Sequence, residues 1–161
     1  MRKNTLIRNI IIAPHGDDEL IGCYEVIEHS IGPVGVFISE PSDEVLYKNC
    51  VRMRDYTEFV TEPARNCEFT FFFPDPIYEL HPLHRKLGQE GEALARKGFR
   101  VFFYTTNMNA PYMREVESPL EKRRALNMTY PTKASLWEHD HRYWLFEGQC
   151  RWAYDIWKEV N

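Results

Sequence analysis

The stretch Asn9-Ile10-Ile11-Ile12-Ala13-Pro14-His15-Gly16-Asp17-Asp18-Glu19 decides how the chain is read. Its four apolar residues, Ile10 to Ala13, form the short continuous run expected of a strand buried on both faces. Pro14 and Gly16 break that run, and the polar cluster follows at once. Beyond it, Leu20, Ile21, Tyr24 and Ile27 recur at helical spacing. A dense group of titratable side chains therefore stands where a buried strand turns into a helix. In open α/β sheets that carboxyl end of a strand is where ligands bind. One carboxylate at this place would do no more than cap the helix. Three acids behind a histidine call for another explanation. His15 and Asp18, three residues apart, can be aimed at one point by a single turn, while Asp17 between them points elsewhere. That leaves Asp18 free to ligate a metal with His15, and Asp17 free to handle a proton. A histidine, an aspartate, a third protein ligand and water make up an open, catalytic kind of zinc site.

Working outward, the 161 residues suit one domain, taken here as 1–161, with a modest core. The net charge of -4 offers no basic field for unaided nucleic-acid binding, so no stable nucleic-acid partner is expected. Cys23, Cys50, Cys67 and Cys150 are scattered without a Cys-x-x-Cys pair, which suits reduced thiols and a cytoplasmic setting. The basic Met1-Arg2-Lys3 precedes an apolar run too short and too polar, at Arg8 and Asn9, for a leader or a membrane span.

Val34 to Ile38 reads as a second buried strand. Pro41-Ser42-Asp43-Glu44 reads as a helix start, with Ser42 or Asp43 as cap and the helix running from about Val45 toward Phe59 or Val60. Cys67 to Phe73 is a third strand, stopped by Pro74-Asp75-Pro76. Leu83, Leu87, Gly91, Leu94 and Ala95 line one side of a further helix ending near Gly98, with His81 and His84 at its N-terminal edge. The positive end of that helix disfavours imidazolium and keeps a nitrogen lone pair available. Phe99 to Thr106 is a fourth strand, and the loop Asn107 to Tyr112 follows at its carboxyl end. Pro119 to Met128 is a short helix capped by Ser118. The aromatic stripe from Trp137 to Trp157 is assigned chiefly to packing. Together these elements predict a three-layer, Rossmann-like α/β domain with a mostly parallel sheet.

Ala13-Pro14-His15-Gly16-Asp17-Asp18-Glu19, continued by Leu20-Ile21-Gly22-Cys23, resembles the Ala-His-Pro-Asp-Asp-Glu…Gly-Cys signature of the PIG-L/LmbE-like N-acetylglucosamine deacetylases. Phe73-Pro74-Asp75 is similar to that family's Phe-Pro-Asp. His81-Pro82-Leu83-His84-Arg85, with Gly88, is similar to its His-Pro-Asp-His-Arg…Gly, and Lys122…Ala125-Leu126…Tyr130-Pro131-Thr132-Lys133 is a partial echo of a later motif. The resemblance implies zinc held by His15, Asp18 and His84. It also implies Asp17 as general base and His81 as the group that contacts substrate and stabilises the intermediate. Leu83 stands where the family has aspartate, so a carboxylate partner for an imidazole is either absent or supplied elsewhere. Arg52, spaced three residues from Asp55 as in a family helix, and Arg54 are candidates for substrate binding, as are Asn109 and Tyr112. His139-Asp140-His141 is a rival source of the third ligand, although it lacks the proline and glycine of the motif. The activity implied is zinc-dependent removal of an acetyl group from an N-acetylated amino sugar or its conjugate. Two alternatives stand beside it: hydrolysis of an acylated modified nucleotide, and a sugar- or nucleotide-binding protein that keeps the fold without turnover.

Overall fold

The computed structural model describes residues 7–40, 44–60 and 69–155. The first strand, β1 (Asn9–Ala13), and the helix α1 (Asp18–His29) come from the opening stretch as expected. They are followed by β2 (Val34–Ile38), β3 (Cys50–Met53), β4 (Thr70–Pro74), α2 (Pro82–Arg96) and β5 (Arg100–Tyr104). The remainder comprises β6 (Met113–Glu115), α3 (Pro119–Thr129), α4 (Ala134–His139), α5 (Arg142–Leu145), β7 (Phe146–Gly148) and β8 (Arg151–Trp152).

Among the described residues one sheet runs β3-β2-β1-β4-β5-β8, parallel throughout except for β8, and a small antiparallel pair joins β6 to β7. Side chains on alternate sides of each strand separate two cores. Ile11 and Ala13, Phe72, and Tyr104 face a layer built with α1, α3, α4 and α5. Ile10 and Ile12, Phe71 and Phe73, and Val101 and Phe103 face the layer under α2. This is the three-layer, mostly parallel α/β architecture expected, and burial on both faces explains why its strands read as unbroken apolar runs. No helix among the described residues is long and apolar enough to cross a membrane.

The strand order reverses direction beside β1. The chain steps from β1 out to β2 and β3, then returns to place β4 on the other side of β1. A crevice at the carboxyl ends of β1 and β4 is therefore the topological switch point, the usual place for a ligand in such sheets. Helix α2 reaches it by packing unusually close to β4. A Cβ on Gly88 would come within 2.5 Å of the Pro74 carbonyl oxygen, so only glycine fits there.

The predicted helix from Val45 to Phe59 or Val60 is not formed. Asn49 turns the chain at φ 70°, and Cys50–Met53 joins the sheet as β3, in parallel register with β2 through Gly35↔Val51 and Phe37↔Met53. Alternation decides the matter: Val51 and Met53 face the α2-side core while Cys50 faces the other. A short 3-10 turn, Thr57–Phe59, is the only helical piece described there. The proposed caps Ser42 and Asp43 lie outside the described residues, as do Cys67 and Trp157. Ser118 occupies the cap position of α3 without a side-chain hydrogen bond. The described part of the aromatic stripe folds as α4, α5, β7 and β8, with Trp137 and Trp144 buried in the core.

Helix α1 is interrupted at Cys23 (φ -133°, ψ 24°), and a buried ion pair fills the break. The Ile21 carbonyl freed there accepts from Lys122 Nζ at 2.7 Å. The freed amides of Tyr24 and Glu25 donate to the two carboxylate oxygens of Glu147, at 2.9 and 3.0 Å. Lys122 and Glu147 bond to each other at 2.9 Å, and both are almost fully buried. These three backbone groups thus find charged partners, which is how a helix survives a break inside a core.

Candidate metal and active centre

Three donors converge at the switch point. The turn after β1 carries His15 and Asp18, and Asp18 Oδ2 accepts from the His15 amide at 2.9 Å, which closes the turn. The first turn of α2 carries His84. His15 Nδ1 lies 3.4 Å from Asp18 Oδ2, His84 Nε2 lies 3.4 Å from the same oxygen, and the two ring nitrogens are 3.3 Å apart. Among the described residues this is the group of histidine and acidic side chains placed to hold a metal ion. His141, the rival ligand, is exposed and packs against the Trp144 ring at 5.1 Å, outside the triangle.

A carboxylate partner for His84 is present, although the sequence motif lacks one. Glu79, from the short connection between β4 and α2, places Oε1 at 3.3 Å from His84 Nδ1. The same carboxylate accepts from the Thr106 amide at 2.9 Å and from the Thr105 and Thr106 hydroxyls. Glu79 is 2% exposed. Anchored on β5's carboxyl end, it directs the proton of His84 to Nδ1 and leaves Nε2 with its lone pair toward the triangle. Sequence reading missed Glu79 because it sits on a turn with no periodic pattern.

His81 is the N-cap of α2, and its Nδ1 accepts from the Leu83 amide at 3.1 Å. In the neutral ring that bond assigns the proton to Nε2. The His81 ring centroid lies 5.1 Å from that of His15 and 5.2 Å from that of His84, so a donor stands beside the triangle.

Asp17 occupies the N-cap position of α1 without making a side-chain cap bond. It is 6% exposed, and its Oδ2 lies 3.8 Å from Lys133 Nζ. Burial, and after it the neighbouring Asp18 charge, push its carboxyl up to about 8, with Lys133 pulling the other way. A carboxylate near neutrality is suited to taking and returning a proton. Burial likewise raises Glu19 to about 7. The His15 imidazole is raised, first by its bond to Asp18.

A cavity of about 460 Å³ opens beside these groups, lined by His15, Asp17 and Asp18 together with Lys133, Ser135 and Tyr143. The four substrate-binding candidates lie elsewhere. Arg52 is on β3, where its guanidinium donates to the Glu44 carbonyl, and Arg54 is exposed just beyond that strand. The helical spacing that linked Arg52 to Asp55 has no meaning on a strand, and Asp55 instead accepts from Thr57. Asn109 accepts from Arg142 at 2.8 Å. Tyr112 donates to Asp75 at 2.6 Å, and Asp75 also accepts from the Ile77 and Tyr78 amides, so that pair serves the loop. None of the four lines the cavity at the triangle. The groups that do, Thr106, Thr132, Lys133, Ser135 and Tyr143, follow β5 and α3; Thr132 and Lys133 close the partial echo that begins at Lys122, and the other three carry no motif of their own.

No family model matches this chain, and no curated protein does. A solved structure described as a conserved protein from Thermus thermophilus is similar at 14% identity and a TM-score of 0.49. The match covers 89% of this chain and 93% of that one. The functional reading therefore rests on the side chains themselves.

Proposed function

We propose that this chain is a zinc-dependent amide hydrolase that removes the acetyl group from an N-acetylated amino sugar, free or conjugated. The observation that carries the reading is the size of the donor triangle. A tetrahedron with zinc–ligand arms of about 2.0–2.1 Å has edges of about 3.3–3.4 Å. The separations among His15, Asp18 and His84 are 3.3, 3.4 and 3.4 Å. Two imidazoles and one carboxylate suit zinc, and three protein donors leave a corner for water or substrate. When bound, zinc lowers the pKa of water toward neutrality and polarises a carbonyl.

The remaining roles fall to the chain's own side chains. Asp17, outside the triangle but beside it, accepts the proton of the attacking water and can return it to the leaving amine. His81, with Nδ1 engaged, offers its Nε2 proton to the oxygen that becomes negative in the tetrahedral intermediate. Glu79 holds His84 in the ligating tautomer. The hydroxyls of Thr106, Thr132, Ser135 and Tyr143, with the Lys133 ammonium, suit a hydroxyl-rich sugar better than a flat apolar ligand. The scattered cysteines fit a cytoplasmic enzyme.

Purified protein is expected to carry one zinc per chain, counted by elemental analysis. His84→Ala should empty the site and His141→Ala should leave it filled; the reverse pattern would refute the ligand assignment. Glu79→Gln keeps an acceptor for the Thr106 amide but removes the charge facing His84. It should weaken zinc binding by about 10- to 100-fold in a chelator competition, and unchanged affinity would dismiss Glu79 as the orienting group.

The activity itself is tested by acetate release from N-acetylglucosamine conjugates by the zinc-loaded protein. Release is expected from at least one conjugate. Release from an acylated nucleoside and from no sugar would transfer the assignment to nucleotide amides. Sugar binding without release would leave a binding protein.

A further inference from the structure

Asp17 has φ 110° and ψ -31°, a backbone conformation that a residue with a Cβ adopts only when its surroundings impose it. The peptide groups around it are held on every side. The Asp17 amide donates to Glu19 Oε2 at 3.2 Å, and the Asp17 carbonyl accepts from Leu20 and Ile21 at 3.0 and 2.9 Å. The carbonyl just before it, that of Gly16, accepts from Lys133 Nζ. The other Glu19 oxygen accepts from the Tyr130 hydroxyl. Glu19 and Tyr130 are buried at 1% and 0% exposure. Tyr130 and Lys133 both belong to the segment leaving α3, so one piece of chain reaches across to fix the turn after β1. None of the three is a donor of the metal triangle.

We infer that Tyr130, Glu19 and Lys133 are positioning residues, a clamp that keeps Asp17 in its left-handed conformation and its carboxylate at the cavity instead of folded back as a helix cap. The role given to Asp17 rests on the proposed hydrolase reading; the conformational clamp does not.

Stability tests the clamp without any substrate. At an ordinary site glycine is less stable than alanine, because the unfolded glycine chain is freer. At position 17 the order should invert, because glycine alone accepts φ 110° without strain. Asp17→Gly should therefore melt about 2–4 °C above Asp17→Ala. In a Tyr130→Phe or Lys133→Met background the turn can relax, and this gap should shrink toward zero or change sign. Glycine no more stable than alanine would overturn the strain. A gap unchanged in both backgrounds would overturn the clamp.

Activity supplies a second measurement. Tyr130→Phe should keep its zinc and its KM while kcat falls by up to about 100-fold, the scale of a slightly misplaced catalytic group. Lys133→Arg should restore most of what Lys133→Met loses. An unchanged kcat in Tyr130→Phe counts against the clamp. A wild-type protein that hydrolyses no amide fails the hydrolase reading alone, and the glycine–alanine comparison still decides the inference.

Discussion

Replacing Asp17 by asparagine is expected to leave zinc in place and cut turnover by about 100- to 10,000-fold. Asparagine matches aspartate in size and is among the residues that best tolerate positive φ, so the turn should persist. What it lacks is a site for the proton. The triangle of His15, Asp18 and His84 does not include Asp17, so the metal should remain. Asp18→Asn, by contrast, alters one corner of the donor triangle and should chiefly lower zinc affinity. Neighbouring aspartates with separable losses, one of kcat and one of metal, are the signature of the proposed division of labour. The measurement is kcat alongside zinc content for each variant. Near wild-type turnover by Asp17→Asn, or loss of its zinc, would remove Asp17 from the role of base.

The largest expected effect on stability lies away from the metal. Lys122→Ala should destabilise the protein by about 3–5 kcal/mol, the usual consequence of removing one partner of a buried ion pair. The variant leaves the Glu147 carboxylate buried without its countercharge. It also strands the Ile21 carbonyl at the break in α1, since Lys122 Nζ is the donor that reaches it. A loss of this size is a large fraction of the roughly 5–15 kcal/mol that holds an ordinary domain together. Arg123→Ala, at a half-buried pair with Glu138 that solvent still reaches, should change stability far less, because water screens both charges. Urea denaturation of the two variants makes the comparison. A change below about 1 kcal/mol for Lys122→Ala would mean that the pair does not hold the break together.

What the sequence determined by itself was local. The Ile-rich run, the Pro-Gly break and the helical spacing after Glu19 specified strand, turn and helix, because φ/ψ preference and hydrophobic period act over a few residues. The i,i+3 spacing placed His15 and Asp18 together, and Pro82 with the Leu83–Ala95 stripe placed His84 at a helix N-terminus. Each is a direction set within one turn.

Tertiary structure decided which of these directions meet. His84 reaches His15 across 69 positions only because β4 returns beside β1 and Gly88 lets α2 approach the end of β4. Glu79 acquires its role from the ends of β4 and β5 meeting in space, and its turn carries no repeat to betray it. Arg52 departs from its expected place for a related reason. Its i,i+3 relation to Asp55 favours a helix, but pairing with β2 and the alternation of Cys50, Val51 and Met53 between two cores made it a strand. Lys122 and Glu147, far apart in the chain, find each other because the break in α1 exposes a carbonyl and two amides that a core cannot leave unpaired. Spacing along the chain encodes where a side chain points, whereas its partner is chosen by how the layers pack.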